Sequence, residues 1–217
     1  MLSFVLGTGT GVGKTCFSAA LLRLARASGL DAVGLKPAQT GSDEPSDAAH
    51  LGEACGTFVE PLYSFPEPVS PHLAARARGM RLDCAAIIDW VSRHQRGFTL
   101  VETAGGAFSP LNEESTNADL VERTDPASAI FLVTGAALGT FHATTATLRA
   151  LGTLAARTIV VVSAPESLTD GVATADELRR LRTAGLSASA LVLGPNSQLV
   201  PGSEARLIDG LRSGRFT

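Results

Sequence analysis

The sequence predicts an α/β domain in which helices cover both faces of a parallel sheet. Strand-length apolar runs alternate with helix-length amphipathic segments, and the first run leads directly into a glycine-rich loop and a helical pattern. The 217 residues, 45% hydrophobic and 18% charged, suffice for one complete hydrophobic core. This alternation indicates a parallel sheet, because each parallel connection needs a crossover segment. We therefore expect a single domain over residues 1–217.

The individual strands and helices are predicted from apolar spacing and from the turn residues that bound each run. Strands are predicted over residues 4–6, 31–36, 98–102, 129–134, 158–163 and 188–193. Helices are predicted over residues 14–28, 47–54, 83–94, 117–123, 142–155, 173–184 and 204–212. Ligands of parallel sheets bind at the carboxyl ends of the strands, so residues directly after each strand are candidate functional residues.

The first strand opens into the loop Gly7 to Thr15, which reads GTGTGVGKT. Its amides and the positive end of the following helix favour a bound anion, while Lys14 supplies a cation and Thr15 a hydroxyl ligand for magnesium. The loop therefore indicates a P-loop NTPase-like fold that binds a nucleoside triphosphate. The common pattern has glycine where Thr8 stands, and this departure argues against a routine ATPase.

Three charged residues follow predicted strands or open predicted helices. Lys36 ends an apolar run and must either pair with a carboxylate or bind an anion, for which we expect phosphate. Glu102 ends another run, where a carboxylate completes a magnesium shell in phosphate-loop proteins. Asp47 is either a carboxylate at a helix N-terminus or a second magnesium ligand, and composition does not separate these two roles.

Composition points to small-molecule partners. A net charge of −3 provides no polycationic surface, so we expect neither nucleic acid nor a membrane as partner. Cys16, Cys55 and Cys84 lie far apart in the sequence, which is typical of reduced thiols. The first apolar run lacks the features of a signal peptide. We therefore expect a cytoplasmic protein.

Five segments together resemble dethiobiotin synthetase, a family of phosphate-loop ligases. They are GTGTGVGKT at 7–15, KPAQTG at 36–41, YSFPEPVSPH at 63–72, VETAGG at 101–106 followed by Pro110 and Leu111, and LGTFH at 138–142. The resemblance implies that the enzyme joins CO2 to 7,8-diaminononanoate and phosphorylates the carbamate with ATP. The second amine then closes the ureido ring.

The resemblance also implies roles for individual residues. Lys36, Lys14 and Thr10 are the expected catalytic residues, since two lysines offset the repulsion between a carbamate and a triphosphate. Thr10 and Thr40 are expected to orient the diamine nitrogens. No nucleophilic side chain is required.

The cofactor set follows from the same resemblance. Thr15, Asp47 and Glu102 are expected to hold Mg2+, with ATP as co-substrate. The expected nucleotide-binding positions are Gly11, Val12, Gly13, Lys14, Thr15, Cys16, Asp47, Glu102, Gly105, Ser163, Pro195 and Asn196. The helix start at Gly139 and Thr140 is expected to bind the substrate carboxylate and to come from the partner subunit of a homodimer.

Base recognition is one of several points at which this sequence departs from the family that it resembles. The family has asparagine where Ser163 stands, and a serine hydroxyl cannot copy the two-point contact of an amide with a purine edge. We therefore expect weak selectivity among bases. Asn196 is the alternative residue for reading the base.

Two other functions stay open at this stage. One is a nucleotide switch of the same fold, or a paralogous ATPase, that acts on a protein partner. Such proteins carry a second lysine inside the loop, whereas positions 8–12 here read TGTGV. The other is a non-catalytic dimer that has lost nucleotide, which the retained Lys14, Thr15, Lys36 and Glu102 disfavour.

Overall fold

A computed structural model describes residues 1–41, 45–125, 127–180 and 189–216. The strands are β1 (Leu2–Gly7), β2 (Ala32–Leu35), β3 (Ala38–Thr40), β4 (Tyr63–Phe65), β5 (Phe98–Glu102), β6 (Ala129–Gly135), β7 (Thr158–Ser163) and β8 (Ser189–Leu193). Six of them form a parallel sheet in the order β2-β5-β1-β6-β7-β8, and β3 and β4 pair as a separate small parallel sheet. The structure thus has the predicted parallel α/β architecture.

The helices connect these strands. They are α1 (Lys14–Ala27), α2 (Asp47–Cys55), α3 (Pro71–Ala77), α4 (Cys84–Arg93), α5 (Asn117–Glu122), α6 (Thr140–Ala150), α7 (Leu168–Arg180) and α8 (Pro201–Ser213), with short 3-10 helices at Gly152–Arg157 and Pro195–Ser197. Among the described residues, none of these helices is both long enough and apolar enough to cross a membrane.

The core lies in two layers, one on each face of the sheet. Successive side chains of a strand point to opposite faces, so Phe4 and Leu6 of β1 pack in one layer and Val5 in the other. Helices α1, α2 and α8 cover the second layer, while α3 to α7 cover the first. Burial on both faces explains why these strands read as continuous apolar runs.

Each predicted strand corresponds to a strand of the main sheet, although residue 188 lies outside the described residues. Several other predictions were wrong in extent. The helix predicted over 142–155 begins at Thr140 and gives way to the 3-10 helix Gly152–Arg157, because Gly152 has a φ of +57°. The helix predicted over 173–184 begins at Leu168, and residues 181–184 lie outside the described residues. The last helix begins at Pro201, since proline suits a first helical turn.

The β3–β4 pair was not predicted, and for α3 the sequence indicated only a helix start at Ser70 and Pro71, where the helix does begin. β3 and β4 have three residues each, too few for a periodic pattern. Both lie between β2 and α4 along the chain. Ala38 of β3 and Phe65 of β4 pack in the core layer that contains Phe4 and Leu6.

The strand order places the glycine-rich loop at the carboxyl ends of the strands, near the middle of the sheet. β1 lies between β5 and β6, so the loop that follows it sits between the carboxyl ends of both neighbours. The amide of Thr8 donates to the carbonyl of Val133 on β6 (2.9 Å), and the amide of Ala107, after β5, donates to the carbonyl of Gly7 (2.8 Å). The loop is therefore fixed on both sides.

Candidate functional site

The glycine-rich loop turns sharply into α1 and depends on residues without side chains. Gly13, at the N-cap of α1, has a φ of +91°, and a Cβ there would lie 2.3 Å from the Oγ of Ser163. A Cβ on Gly7 would lie 2.7 Å from the carbonyl oxygen of Gly9. The buried Lys14 side chain folds back and donates to that Gly9 carbonyl (3.2 Å). The ammonium group of Lys14 therefore lies on the inner side of the loop, next to the Gly9 carbonyl.

Beside the loop, four side chains from separate elements form a tight polar cluster. The Nζ of Lys36 lies 2.7 Å from Oδ2 of Asp47 and 2.7 Å from Oε1 of Glu102. The Oγ1 of Thr15 lies 2.9 Å from Oδ1 of Asp47 and 2.8 Å from Oε1 of Glu102. Together with Lys14 these residues make up what we call the acid–lysine cluster. It combines two ammonium groups, two carboxylates and one hydroxyl.

The fold explains why these residues meet. Lys36 directly follows β2, and Glu102 ends the neighbouring β5, where Leu35 and Val101 are in register. Asp47 begins α2, whose adjacent amide at Ala48 donates to Oε1 of Gln39 (3.0 Å). Sequence reasoning gave Gln39 no role, although it lies within the KPAQTG segment. Its carbonyl anchors the start of the helix that carries Asp47.

Burial and paired charge set the protonation states in the acid–lysine cluster. Burial, with the nearby Lys36 ammonium, lowers the pKa of Lys14 from 10.5 to about 8. Burial alone would also lower the pKa of Lys36, but the carboxylates of Glu102 and Asp47 outweigh it and raise that pKa above its ordinary value. Burial would raise the pKa of Asp47, whereas Lys36 and Thr15 hold it below its ordinary value. Lys36 is therefore held as a cation.

The donor set of Thr15, Asp47 and Glu102 fits a magnesium ion. A hydroxyl has one proton, so Thr15 can donate to only one of its two carboxylate neighbours at a time. The Oε2 atom of Glu102 is buried and has no hydrogen-bond partner within the described part of the chain. A carboxylate oxygen buried without a partner is costly, and hard oxygen ligands are those that Mg2+ prefers.

The loop after β5 lies against the glycine-rich loop and is held by a residue that sequence reasoning missed as a site element. The side-chain amide of Asn117, at the start of α5, donates to the carbonyls of Ala104 (2.8 Å) and Gly106 (2.9 Å). A Cβ on Gly105 would lie 3.9 Å from the hydroxyl of Thr10, so these two predicted site residues are neighbours. An asparagine in the first turn of a helix often bonds to nearby backbone groups, and this pattern could have identified Asn117 from the sequence.

On the other side of the start of α1 lies an open pocket of about 470 Å³, which we call the side pocket. It is lined by residues 11–13, 16, 135–137, 163–167, 170, 193, 194, 196 and 197. The predicted nucleotide-binding residues at this pocket are Gly11, Val12, Gly13, Cys16, Ser163 and Asn196. The rest lie elsewhere: Lys14, Thr15, Asp47 and Glu102 belong to the acid–lysine cluster, and Gly105 lies beside Thr10. Pro195 begins the 3-10 helix Pro195–Ser197 but does not line the pocket.

Two features of the side pocket were not predicted. Asn196 and Ser197 both have positive φ values, 54° and 58°, which are uncommon for residues other than glycine. Two exposed carboxylates, Glu166 and Asp170, line the pocket shortly after the end of β7. Their positions just beyond a strand end could have identified them.

The remaining predicted substrate residues lie at two further strand or helix ends. Thr40 ends β3 and is half-buried. Gly139, with a φ of +92°, is the N-cap of α6, and Thr140 is the first residue of that helix. Leu138, just before this helix start, is fully exposed.

Comparisons with family models and with curated proteins show which proteins this chain is similar to. A family described as AAA domain matches residues 3–186. The chain is 45% identical over 159 residues to the ATP-dependent dethiobiotin synthetase of Anaeromyxobacter dehalogenans, covering 68% of this chain and 69% of the relative. It is 35% identical over 203 residues to that of Phenylobacterium zucineum, covering 84% and 85%.

Solved structures of similar fold are more distant in sequence. The signal recognition particle receptor FtsY from Elizabethkingia anophelis in complex with GDP aligns with a TM-score of 0.55 at 16% identity, covering 97% of this chain and 63% of that one. The signal recognition particle 54 kDa protein from Aeropyrum pernix aligns with a TM-score of 0.52 at 20% identity, covering 98% and 47%. At these identities the likeness extends to the nucleotide-binding fold alone.

Proposed function

This chain belongs to the dethiobiotin synthetase family, and from that premise we propose that it closes the ureido ring of dethiobiotin from 7,8-diaminononanoate and CO2. It is an ATP-dependent ligase. The observation that carries the proposal is the acid–lysine cluster, in which Lys36 lies 2.7 Å from both carboxylates beside the phosphate-binding loop. A nucleotide switch of this fold would carry its second lysine inside the loop, whereas Lys36 lies outside the loop, directly after β2.

The residues of the cluster suit the chemistry. Lys14 binds the triphosphate within the loop. Lys36 acts as a fixed cation toward the carbamate and the transferred phosphoryl group, because its raised pKa makes it a poor general base. Thr15, Asp47 and Glu102 would hold Mg2+, which offsets charge on the phosphates when bound.

The substrate amines are placed by hydroxyl groups. Thr10 and Thr40 orient the two nitrogens, so that the second amine meets the phosphorylated carbamate without diffusing to it. Such alignment contributes as much as ~7–11 kcal/mol when it is good. The support for this placement is that Thr10 lies beside Gly105, at the loop that follows Glu102.

The carboxylate of the diamine is assigned to the start of α6. The first amides of a helix lack partners within the helix and attract anions. We place this helix start in the site of the partner subunit of a homodimer, in a cytoplasmic enzyme that has only small-molecule substrates. Analytical ultracentrifugation tests the assembly, and a fully active monomer at nanomolar concentration contradicts the shared site.

One assay tests the reaction. We expect the purified protein with Mg2+ and ATP to release ADP only when bicarbonate and 7,8-diaminononanoate are both present, with dethiobiotin formed in equal amount. The Lys14→Ala variant, purified in parallel, measures any contaminating ATPase. ADP release that does not depend on the diamine contradicts the proposed function.

A further inference from the structure

Four threonine hydroxyls form a network between the phosphate-binding loop and α6. The Oγ1 of Thr134, near the end of β6, lies 3.1 Å from that of Thr8, 2.7 Å from that of Thr140 and 3.1 Å from that of Thr144. Thr134, Thr140 and Thr144 are buried. Thr134 is therefore the centre of the network.

The positions of the protons in this network follow from counting donors. Thr140 donates its one proton to the carbonyl of Gly135 (2.5 Å), so it must accept from Thr134. Thr134 has then used its proton and accepts from both Thr8 and Thr144. One donated and two accepted bonds complete the capacity of the Thr134 hydroxyl. Two donors therefore converge on Thr134, one from the loop and one from the second turn of α6, and Thr134 donates to Thr140 at the start of that helix.

The start of α6 has little else to fix it. Its N-cap is Gly139, which provides no side-chain cap, and Leu138 just before it is fully exposed. Within the described residues, the amide of Thr140 bonds to the carbonyl of Ala137 in the same connection (3.1 Å). The Thr140 hydroxyl thus ties the first residue of the helix to β6 through the Gly135 carbonyl and through Thr134, and Thr134 links it to Thr8 of the phosphate-binding loop.

We propose that Thr134 is a positioning residue whose hydroxyl fixes the start of α6 relative to the phosphate-binding loop. Its effect on catalysis rests on the proposed function, in which the first amides of α6 bind the carboxylate of the diamine. Binding by amides alone predicts that the side chain of Thr140 is unimportant. The network predicts instead that Thr134 and Thr140 act as one unit.

The test uses substitutions that keep shape and remove the hydroxyl. Thr134→Val and Thr140→Val each break the central link, and Thr134→Ser restores it. Thr158→Val is the matched control, since Thr158 is a buried threonine on β7 whose hydroxyl donates to the carbonyl of Leu154 (2.8 Å), outside the network. Hydrogen exchange of the bonded amides of Thr140 and Ala143 in the ligand-free protein measures the order of this helix start directly, without relying on activity.

We expect exchange of these amides to be about tenfold faster in Thr134→Val and Thr140→Val than in the parent, Thr134→Ser or Thr158→Val. The KM for the diamine should rise about tenfold while kcat changes much less, which is the pattern of weakened substrate binding. The effect of the double variant should be smaller than the sum of the two single effects, because the bond between Thr134 and Thr140 is lost in both.

The outcomes are separable. Unchanged exchange in Thr134→Val overturns the proposal, as does full additivity of the two valine variants. Faster exchange with an unchanged KM supports the positioning role and overturns the placement of the substrate carboxylate at α6. If the parent protein has no diamine-dependent activity, the proposed function fails, and hydrogen exchange alone still decides the role of Thr134.

Discussion

The acid–lysine cluster and the side pocket lie on opposite sides of the start of α1 and differ in almost every physical respect. In the cluster, the side chains of Lys36 and Glu102 are 4% and 0% exposed and form an ion pair. The side pocket is open and is lined mainly by small neutral residues, with two exposed carboxylates. The cluster is suited to binding charged groups, and the side pocket is suited to binding a largely neutral group.

This difference indicates which region supplies binding energy and which supplies selectivity among nucleotide bases. Hydrogen bonds and charges in a buried site are stronger than those facing water. Contacts with phosphate and magnesium are the same for every nucleoside triphosphate and contain no information about the base. We therefore expect the cluster to supply affinity and chemistry, and the side pocket to supply a weak preference among bases.

Removing Lys14 should have the largest effect. Lys14→Ala should weaken nucleotide binding by at least about a hundredfold, since the triphosphate loses its charge-assisted contact within the loop. Thermal shift with MgATP measures this. Arg23→Ala, at an exposed position of the same helix, is the control and should retain the nucleotide-dependent shift. Equal stabilisation of Lys14→Ala and the parent contradicts the assignment of the loop.

Lys36 should separate chemistry from binding. Lys36→Met keeps the length of the side chain and removes its charge, so we expect kcat to fall about a hundredfold or more while nucleotide affinity changes little. The comparison of kcat with the dissociation constant for MgATP decides the role. A loss limited to the KM for ATP would assign Lys36 to ground-state binding.

The two regions also differ in how far the sequence predicted them. Lys14, Thr15, Lys36 and Glu102 were identified because each follows a strand or lies in a loop with a fixed pattern. The structure brings Asp47 to the same place, which composition alone could not decide. The role of Gln39 could not be predicted, because its contact with the Ala48 amide depends on how β3 and α2 meet in space.

The side pocket was predicted less well for a physical reason. The pocket is lined by the ends of three strands and by the turn at Asn196 and Ser197. Both turn residues have positive φ values, which a sequence usually signals by glycine, and neither residue is glycine. Similarly, the threonine network joins Thr8 to residues 126 or more positions away. Contacts of this kind depend on the strand order β1-β6-β7, which the alternation of elements does not specify.

Glu102 should affect the metal more than the fold. Glu102→Gln keeps the shape of the side chain and removes its charge, so we expect the magnesium concentration needed for half-maximal activity to rise about tenfold. Asp47→Asn should have a smaller effect, because the Asp47 side chain is 42% exposed. Unchanged magnesium dependence in Glu102→Gln contradicts its role as a ligand.

The lowered pKa of Lys14 predicts a pH dependence at the cluster. The free protein must bind a proton on Lys14 before the triphosphate meets a cation, so affinity should be constant below a pH of about 8 and should fall above it. An ordinary lysine would show this fall only near 10.5. Titration calorimetry of MgADP binding at several pH values, in buffers of different ionisation enthalpy, measures the proton uptake. Binding without proton uptake at pH 9 contradicts the prediction.

The smallest effect expected is on the choice of base. Discrimination by a two-point amide contact is worth ~1–3 kcal/mol, and Ser163 cannot provide it. We expect kcat/KM for ATP to exceed that for GTP or CTP by about tenfold or less. Ser163→Asn should sharpen this preference, provided that the larger side chain extends into the side pocket, since Ser163 already packs against Gly13. Asn196→Ala is the comparison. The contrary result is a parent enzyme that prefers ATP by about a thousandfold and loses this preference in Asn196→Ala. That result would show that Asn196 recognises the base and that Ser163 does not weaken base selectivity.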